Sequence, residues 1–490
     1  MNNARYYLAI DLGATSGRAI LGTLADGRLE TAELARFPNK MISVDNHLHW
    51  DLDSLFSEIL HALKTVADQE IPLSSIGIDA WGVDVTLFDR RGRMLEPPYS
   101  YRDARTTGIP EEFFGEMPRE ELYALTGIQF MHFNTLFQLY ELRQRRARTL
   151  ESAYRVLFIP DAISYLLTGE MVTEYTIAST SQMLDPHTRQ FSPKLLEMIG
   201  LAGRFPRIVM PGTRVGTLSE SVQQRTGLGA VPVVAVAGHD TASAVAALPA
   251  VDKSIAYISS GTWSLMGVES PKPVITEESY QLNFTNEGGA DGGTRLLKNI
   301  CGLWLLERCR DEWDDPALTH EAIVEAARDS RPFRSLINPD SPRFANPPSM
   351  TTAIRSYCAE SGQPTPETPG EFARCIMESL ALRYRQVFDM LRVLTSRSPR
   401  ALHVIGGGSK NNLLNSFTAS ALNIPVTAGP AEATAVGNIL MQSIADGATT
   451  SISAARRVAR ASSKLTRHAP QQREQWEEMN RQFRVYNNKV

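Results

Sequence analysis

Three features of the sequence predict an α/β protein made of two similar halves. The first is an apolar run at 6–10 that passes through Asp11-Leu12-Gly13-Ala14-Thr15-Ser16-Gly17-Arg18 into a second apolar run at 19–24. The second is a later copy of this strand, small-residue turn, strand pattern: 255–258, then Ser259-Ser260-Gly261-Thr262, then 263–268. The third is that each hairpin is followed by segments whose apolar period changes from that of a strand to that of a helix, the alternation from which α/β layers are built.

Taken in order, Asp11 closes the first strand, and the turn beyond it exposes backbone N–H groups unshielded by side chains at Gly13 and Gly17. Such a turn can cradle phosphate oxygens, and a carboxylate at the strand end can hold Mg²⁺ through water. One copy taken alone reads first as an ordinary hairpin; two copies, at Thr15 and Thr262, point to a nucleotide held between two lobes. A turn at 25–28 leads to a further strand, giving an antiparallel meander at a sheet edge. Leu52, Leu55, Phe56, Ile59, Leu60, Leu63 and Val66 then fall at helical spacing, with Asp51 or Asp53 available as cap. Residues 76–79 read as a buried strand, 80–84 as a loop and 85–88 as a strand.

The run 231–237 reads as a buried strand ending in Gly238-His239-Asp240-Thr241. Asp240 there can face a substrate hydroxyl or cap the helix expected at 241–247, and His239 can act as a base or serve packing. In the second half, a Pro-rich stretch at 332–370 reads as irregular, and Phe372, Ile376, Leu380, Tyr384, Val387 and Leu391 predict a long helix. A strand at 402–405 stops at Gly406-Gly407-Gly408, before a helix at 411–422 and a short strand at 424–427. Glycines at a strand end let a flat or anionic ligand approach the backbone, or simply loosen a loop. The hairpin spacing divides the chain into 1–248 and 249–490.

Composition narrows the class. The 490 residues are 43% hydrophobic and carry 50 basic and 54 acidic side chains, a net charge of −4 that offers no footprint for nucleic acid or an anionic membrane. The densest basic stretch, with Arg143, Arg145, Arg146 and Arg148, lacks interleaved aromatics and reads as a solvated helix face. No apolar run approaches the roughly 18 residues of a membrane helix, and the first residues lack the order of a secretory signal. A cytoplasmic protein is expected, with a monomer favoured. Cys301, Cys309, Cys358 and Cys375 show no CxxC spacing, so free thiols are expected rather than a zinc site.

The segments DLGATSGR, IGIDAWGVDV, AGHDTASAV, SSGTWSLMG, IGGGSKNNLLN and GPAEATAVGN together resemble the FGGY carbohydrate kinases, and they span nearly the whole chain. The resemblance implies two actin-like (ribonuclease H-like) ATPase domains around an interdomain cleft, with sugar and phosphate on the N-terminal side and nucleotide on the C-terminal side. It further implies ATP and Mg²⁺ as cofactors. DAWGVD, YRDART, GIQFMHFNTLFQL, TNEGGADGG and LLKNICGLWLLER are worded like members that phosphorylate L-rhamnulose at O1. By the same resemblance Asp240 is the catalytic aspartate, and Gly82, His239, Asp240, Thr241 and Asn299 contact the sugar. Ala14, Thr15, Ser16, Gly17, Arg18, Thr262, Glu307, Gly406 and Gly407 contact the nucleotide, while Asp11, from its place at the strand end, is expected to hold the metal through water. At position 307 the family commonly carries Gln. Trp81 reads as a wall against the sugar or as core, and family members can carry a disulfide matching Cys358 and Cys375, against which a cytoplasmic location argues. A kinase of another ketose, fuculose or xylulose, and an actin-like ATPase of assembly or regulation stand as alternatives.

Because phosphoryl transfer demands mainly in-line placement and charge neutralisation, an aspartate suffices. A carboxylate of ordinary acidity is too weak a base to strip an alcohol early, so it orients the hydroxyl and accepts its proton late.

Overall fold

The computed structural model describes residues 4–250 and 254–487. They divide into two compact units, one formed by 4–250, 269–296 and 433–463, the other by 254–268, 297–432 and 464–487. Segments 269–296 and 433–463 thus return to the first unit after its leading segment.

The first unit is organised on strands β1 (Arg5–Leu12), β2 (Ser16–Ala25), β3 (Arg28–Pro38), β4 (Leu73–Ala80), β5 (Thr213–Thr217) and β6 (Pro232–Ala235), in the sheet order β5-β6-β4-β1-β2-β3. β1, β2 and β3 form the expected antiparallel meander, with β3 at the edge, whereas β4 runs parallel to β1 and β6 parallel to β4. Tyr7, Leu8, Ala9 and Ile10 are wholly buried, which explains why β1 reads as a continuous apolar run instead of an alternating one. Helix α1 (Leu52–Asp68) buries Leu55, Ile59, Leu63 and Val66. It is capped by Asp51, whose carboxylate accepts from Ser54 N at 3.0 Å.

Helix α2 (Asp240–Ala246) follows β6. The helix Ala433–Ala445 packs against α2 so closely that a Cβ on Gly437 would lie 1.7 Å from Ser243 O. That later helix also sends Gln442 Nε2 to Leu8 O at 3.0 Å and accepts Ser75 Oγ on Gln442 Oε1 at 2.7 Å, so polar groups tie it to the sheet.

A second sheet repeats the plan. β7 (Ala256–Ser260), β8 (Trp263–Ser270), β9 (Thr294–Cys301), β10 (Leu402–Ile405), β11 (Val426–Ala428) and β12 (Thr466–His468) lie in the order β9-β8-β7-β10-β11-β12. β7 is antiparallel to β8 and parallel to β10, and β10 is parallel to β11. Each unit thus joins an antiparallel hairpin to two parallel strands. Helices α3 (Trp304–Trp313), α4 (Met350–Glu360), α5 (Pro369–Thr395) and α6 (Asn412–Leu422) complete the part that concerns the site.

Helix α4 corrects the irregular reading of 332–370. Met350, Ile354, Tyr357 and Cys358 are buried at helical spacing behind the cap Ser349, a short pattern masked by the surrounding prolines. Strand β11 begins at Val426, later than 424, because Asn423 closes α6 with positive φ and Pro425 cannot donate to a ladder. Among the described residues no helix is long and apolar enough to cross a membrane.

Candidate functional site

The parallel strands of the first unit carry its chemistry at their carboxyl ends. Asp11 on β1 stands opposite Asp79 on β4. Beyond β6 the chain continues to a bridge between Ala80 and His239, where Ala80 N donates to Gly238 O at 2.9 Å. Asp11, Asp79 and Asp240 therefore come from three adjacent strand ends, the place where ligands settle on open parallel sheets.

The turn at 13–15 is tighter than the sequence reading supposed. Gly13 N donates to Ser16 O at 2.9 Å, and Asn39 clamps the turn with Nδ2 on Gly13 O at 2.9 Å and N on Thr15 O at 3.1 Å. Ala14 and Thr15 supply the N–H groups that the turn itself can offer, while Ser16, Gly17 and Arg18 belong to β2. Gly17 is required for packing, since a Cβ there would meet the Phe37 ring at 2.2 Å. Arg18 pairs with Asp11 across β1 and β2.

Asp79 is fully buried, and burial followed by the negative charge of Asp11 drives its carboxyl well above the usual range. Its Oδ2 accepts Asn438 Nδ2 at 2.6 Å, but its Oδ1 has no partner. An orphaned carboxyl oxygen beside Asp11 suits a hydrated divalent cation, whose charge would restore the carboxylate. Among the described residues no three His, Cys, Asp or Glu side chains form a cage for a metal.

His239, Asp240 and Thr241 open α2. His239 occupies the N-cap position and Asp240 the first turn, so Asp240 is not the helix cap. Its Oδ1 accepts Thr241 N at 2.5 Å and Thr241 Oγ1 at 3.0 Å, and its side chain is 33% exposed. The backbone before it is pinned by buried Glu174, whose Oε2 accepts Gly238 N at 2.9 Å, and by Thr176 Oγ1, which accepts His239 N at 3.2 Å.

Gly82 faces this group: a Cβ on it would lie 3.5 Å from His239 Nε2. Val83 beside it holds φ 68, an unusual conformation for a branched residue, locked by Thr180 Oγ1 on Val83 N at 3.2 Å and Thr135 Oγ1 on Val83 O at 2.6 Å. Asp84 anchors the loop. It accepts the Trp50 and Trp81 indole N–H groups at 2.6 and 2.9 Å, Tyr101 N at 3.1 Å and Gln138 Nε2 at 2.9 Å. Trp81 is buried, its ring tilted 47° against Trp50 at 4.5 Å, which favours the core over the wall reading. Asn39, Asp79, Asp84, Glu174 and Thr176 were not singled out from sequence, although Asp79 and Asp84 lie inside the quoted IGIDAWGVDV.

In the second unit the turn Gly261-Thr262 joins β7 to β8, and Leu303 N and Trp304 N donate to Gly261 O and Thr262 O, both at 3.1 Å. Gly302 permits this docking, since a Cβ would lie 2.6 Å from the Trp263 backbone. Glu307 is a turn into α3 and pairs with Arg310 at 3.3 Å and His320 at 3.5 Å. Gly406 follows β10 with φ 83, and its Cβ would meet Ser260 O at 2.9 Å, whereas space is open over Gly407. Because β7 and β10 are parallel neighbours, Thr262, Gly406 and Gly407 share one end of this sheet. Asn299 lies on β9, half-buried.

Cys358 and Cys375 are unbridged, like the other two cysteines. Their mutual hydrogen bond lowers the Cys358 thiol and, with burial, drives Cys375 up.

Residues 6–247 match the N-terminal domain, and 256–445 the C-terminal domain, of the FGGY family of carbohydrate kinases. The chain belongs to that family. It is 55% identical to the rhamnulokinase of Bacteroides thetaiotaomicron over 96% of this chain and 97% of that one. Identity to the rhamnulokinase of Pectobacterium carotovorum is 46%, covering 94% and 92% of the two chains. In fold, this FGGY kinase superposes on gluconate kinase from Lactobacillus acidophilus with a TM-score of 0.82 at 15% identity, covering 99% and 98%. The duplicated hairpin-plus-parallel-strand units are accordingly the actin-like, ribonuclease H-like architecture of these enzymes.

Proposed function

We propose that this chain transfers the γ-phosphoryl group of ATP to O1 of L-rhamnulose, giving L-rhamnulose 1-phosphate and ADP, as a step of rhamnose catabolism. The 55% identity to a rhamnulokinase across 96% of the chain carries the reading. The carboxylates at adjacent strand ends supply its chemistry.

In this reading Asp240 accepts a hydrogen bond from the O1 hydroxyl, aligns it on the γ-phosphorus and takes its proton late, as the new P–O bond forms. Gly82, His239 and Thr241 bind the sugar beside it, and Asn299 also contacts it. The turn at Ala14 and Thr15, with Ser16, Gly17 and Arg18, and the turn at Thr262 hold phosphates, while Glu307, Gly406 and Gly407 lie along the nucleoside. Mg²⁺, held through water by Asp11 with Asp79 behind it, would neutralise phosphate charge. Arg18, which pairs with Asp11, would then share its charge with a phosphate oxygen. A monomer working in the cytoplasm, where ATP is available, completes the proposal.

The test is ADP release with L-rhamnulose, L-fuculose, D-xylulose and no sugar, for the native enzyme and Asp240→Asn. L-Rhamnulose should give the highest kcat/KM, and Asp240→Asn should lower kcat by about 10²- to 10⁴-fold while ATP still binds. A preference for another ketose rejects the substrate, sugar-independent ADP release rejects the kinase reading, and near-native turnover of the variant removes Asp240 from the chemistry.

A further inference from the structure

His239 touches Asp240 with one face of its ring and a buried charge pair with the other. On the first side Nε2 is 3.4 Å from Asp240 Oδ1. On the second, Nδ1 is 3.1 Å from Arg295 Nη2 and 3.3 Å from Glu287 Oε2. Arg295 is wholly buried; its Nε donates to Gly288 O at 2.8 Å and its Nη2 to Glu287 Oε2 at 3.0 Å. Burial pushes the Glu287 carboxyl up, but the Arg295 charge together with the contacts of His239 and Thr285 outweighs it and holds the group below the usual range. Glu287 is therefore an anion that orients Arg295.

The tautomer of His239 follows from counting hydrogens. Arg295 Nη2 carries two, one of which goes to Glu287, leaving the second aimed at Nδ1. A proton on Nδ1 would oppose that hydrogen and orphan it. Arg295 already leaves Nη1 without a partner, and a second unpaired donor in a buried cation would add a further desolvation cost. With Nδ1 accepting, the ring proton sits on Nε2 and points at Asp240 and Gly82.

We propose that Arg295, itself held by Glu287, is a positioning residue that fixes His239 as the Nε2–H tautomer, making His239 a hydrogen-bond donor to the sugar and to Asp240 and not a base. Which hydroxyl it meets rests on the functional reading above; the tautomer does not. This assigns a role to residues of TNEGGADGG and of the strand after it, which the nucleotide and sugar contacts leave unused. It also separates the tasks of neighbours: Asp240 receives the proton, and His239 supplies a directed N–H.

The experiment uses the full-length enzyme with ¹⁵N-labelled imidazoles, His239 being assigned by difference against His239→Gln. Long-range ¹H–¹⁵N spectra of the sugar-free enzyme should show the proton on Nε2, and Arg295→Met should move it to Nδ1, where it donates to Glu287. An Nδ1–H ring in the native enzyme overturns the proposal, as does a folded Arg295→Met enzyme with the ring unchanged. Should Arg295→Met fail to fold, two other substitutions decide. His239→Gln, whose amide N–H stands where Nε2–H does, should retain KM within about threefold, whereas His239→Asn should raise it about tenfold, the worth of one lost hydrogen bond. The reverse order overturns the proposal. Failure of the native enzyme to turn over L-rhamnulose would reject the function while leaving the tautomer measurement intact.

Discussion

Substituting Gly437 by Ala should disable catalysis through a helix that touches no substrate. The new Cβ would lie 1.7 Å from Ser243 O, where ordinary contact begins at 3.4 Å, so α2 and the helix Ala433–Ala445 must part by about 1.7 Å. The obstacle is a backbone carbonyl, which no rotamer change relieves. Overpacking of this kind costs about 1–3 kcal/mol, and the upper end is expected here because Asn438 and Gln442, which bond Asp79 and Leu8, ride on the same helix. α2 is short and begins with Asp240, so its retreat carries the carboxylate along; a misplacement of ~1 Å costs about 10²-fold in rate. The assay pairs urea unfolding with kcat from coupled ADP release, using Gly229→Ala, where a Cβ meets nothing within 4 Å, as control. A Gly437→Ala enzyme with native midpoint and kcat within about threefold of native would refute the packing argument.

Three further outcomes are expected. Asp84 is pushed up to about 6 by burial, against the pull of its four donors. Between the ordinary carboxylate value and 6 the folded state binds the extra proton, so Asp84 makes stability fall as pH rises through that window and level off above it. The unfolding free energy of the native enzyme minus that of Asp84→Asn should therefore drop between pH 4 and 7, by on the order of 3 kcal/mol; a rise would mean that the donors win and hold the anion. Gly406→Ala must accept φ 83 and a Cβ 2.9 Å from Ser260 O, so it should weaken ATP at least about tenfold in calorimetry, for a cost of ~1.4 kcal/mol or more, while sugar binding beside Asp240 is unchanged; native ATP affinity would remove this glycine from the nucleotide site. Denaturing alkylation without reductant should add four labels, and two missing labels in the intact mass would establish a bridge between Cys358 and Cys375.

The sequence by itself determined the local pieces. Two strand-turn-strand signals, the α1 stripe with its Asp51 cap and the long α5 stripe are each written in contiguous residues, because hydrophobic period and capping act within a few turns of chain. The Gly-His-Asp-Thr strand end was legible for the same reason. What only the tertiary structure decided is who stands beside whom. Asp79 becomes a buried acid because β4 pairs with β1 in the register that sets it against Asp11. Gly17 serves Phe37, and Gly437 serves Ser243, through contacts across the chain that no local pattern encodes. Segments 269–296 and 433–463 return to the first unit and bring Arg295, Glu287 and Asn438 to it. A buried polar group must find its partner wherever the fold supplies one, so the network around His239 is fixed by sheet order and helix packing rather than by sequence spacing.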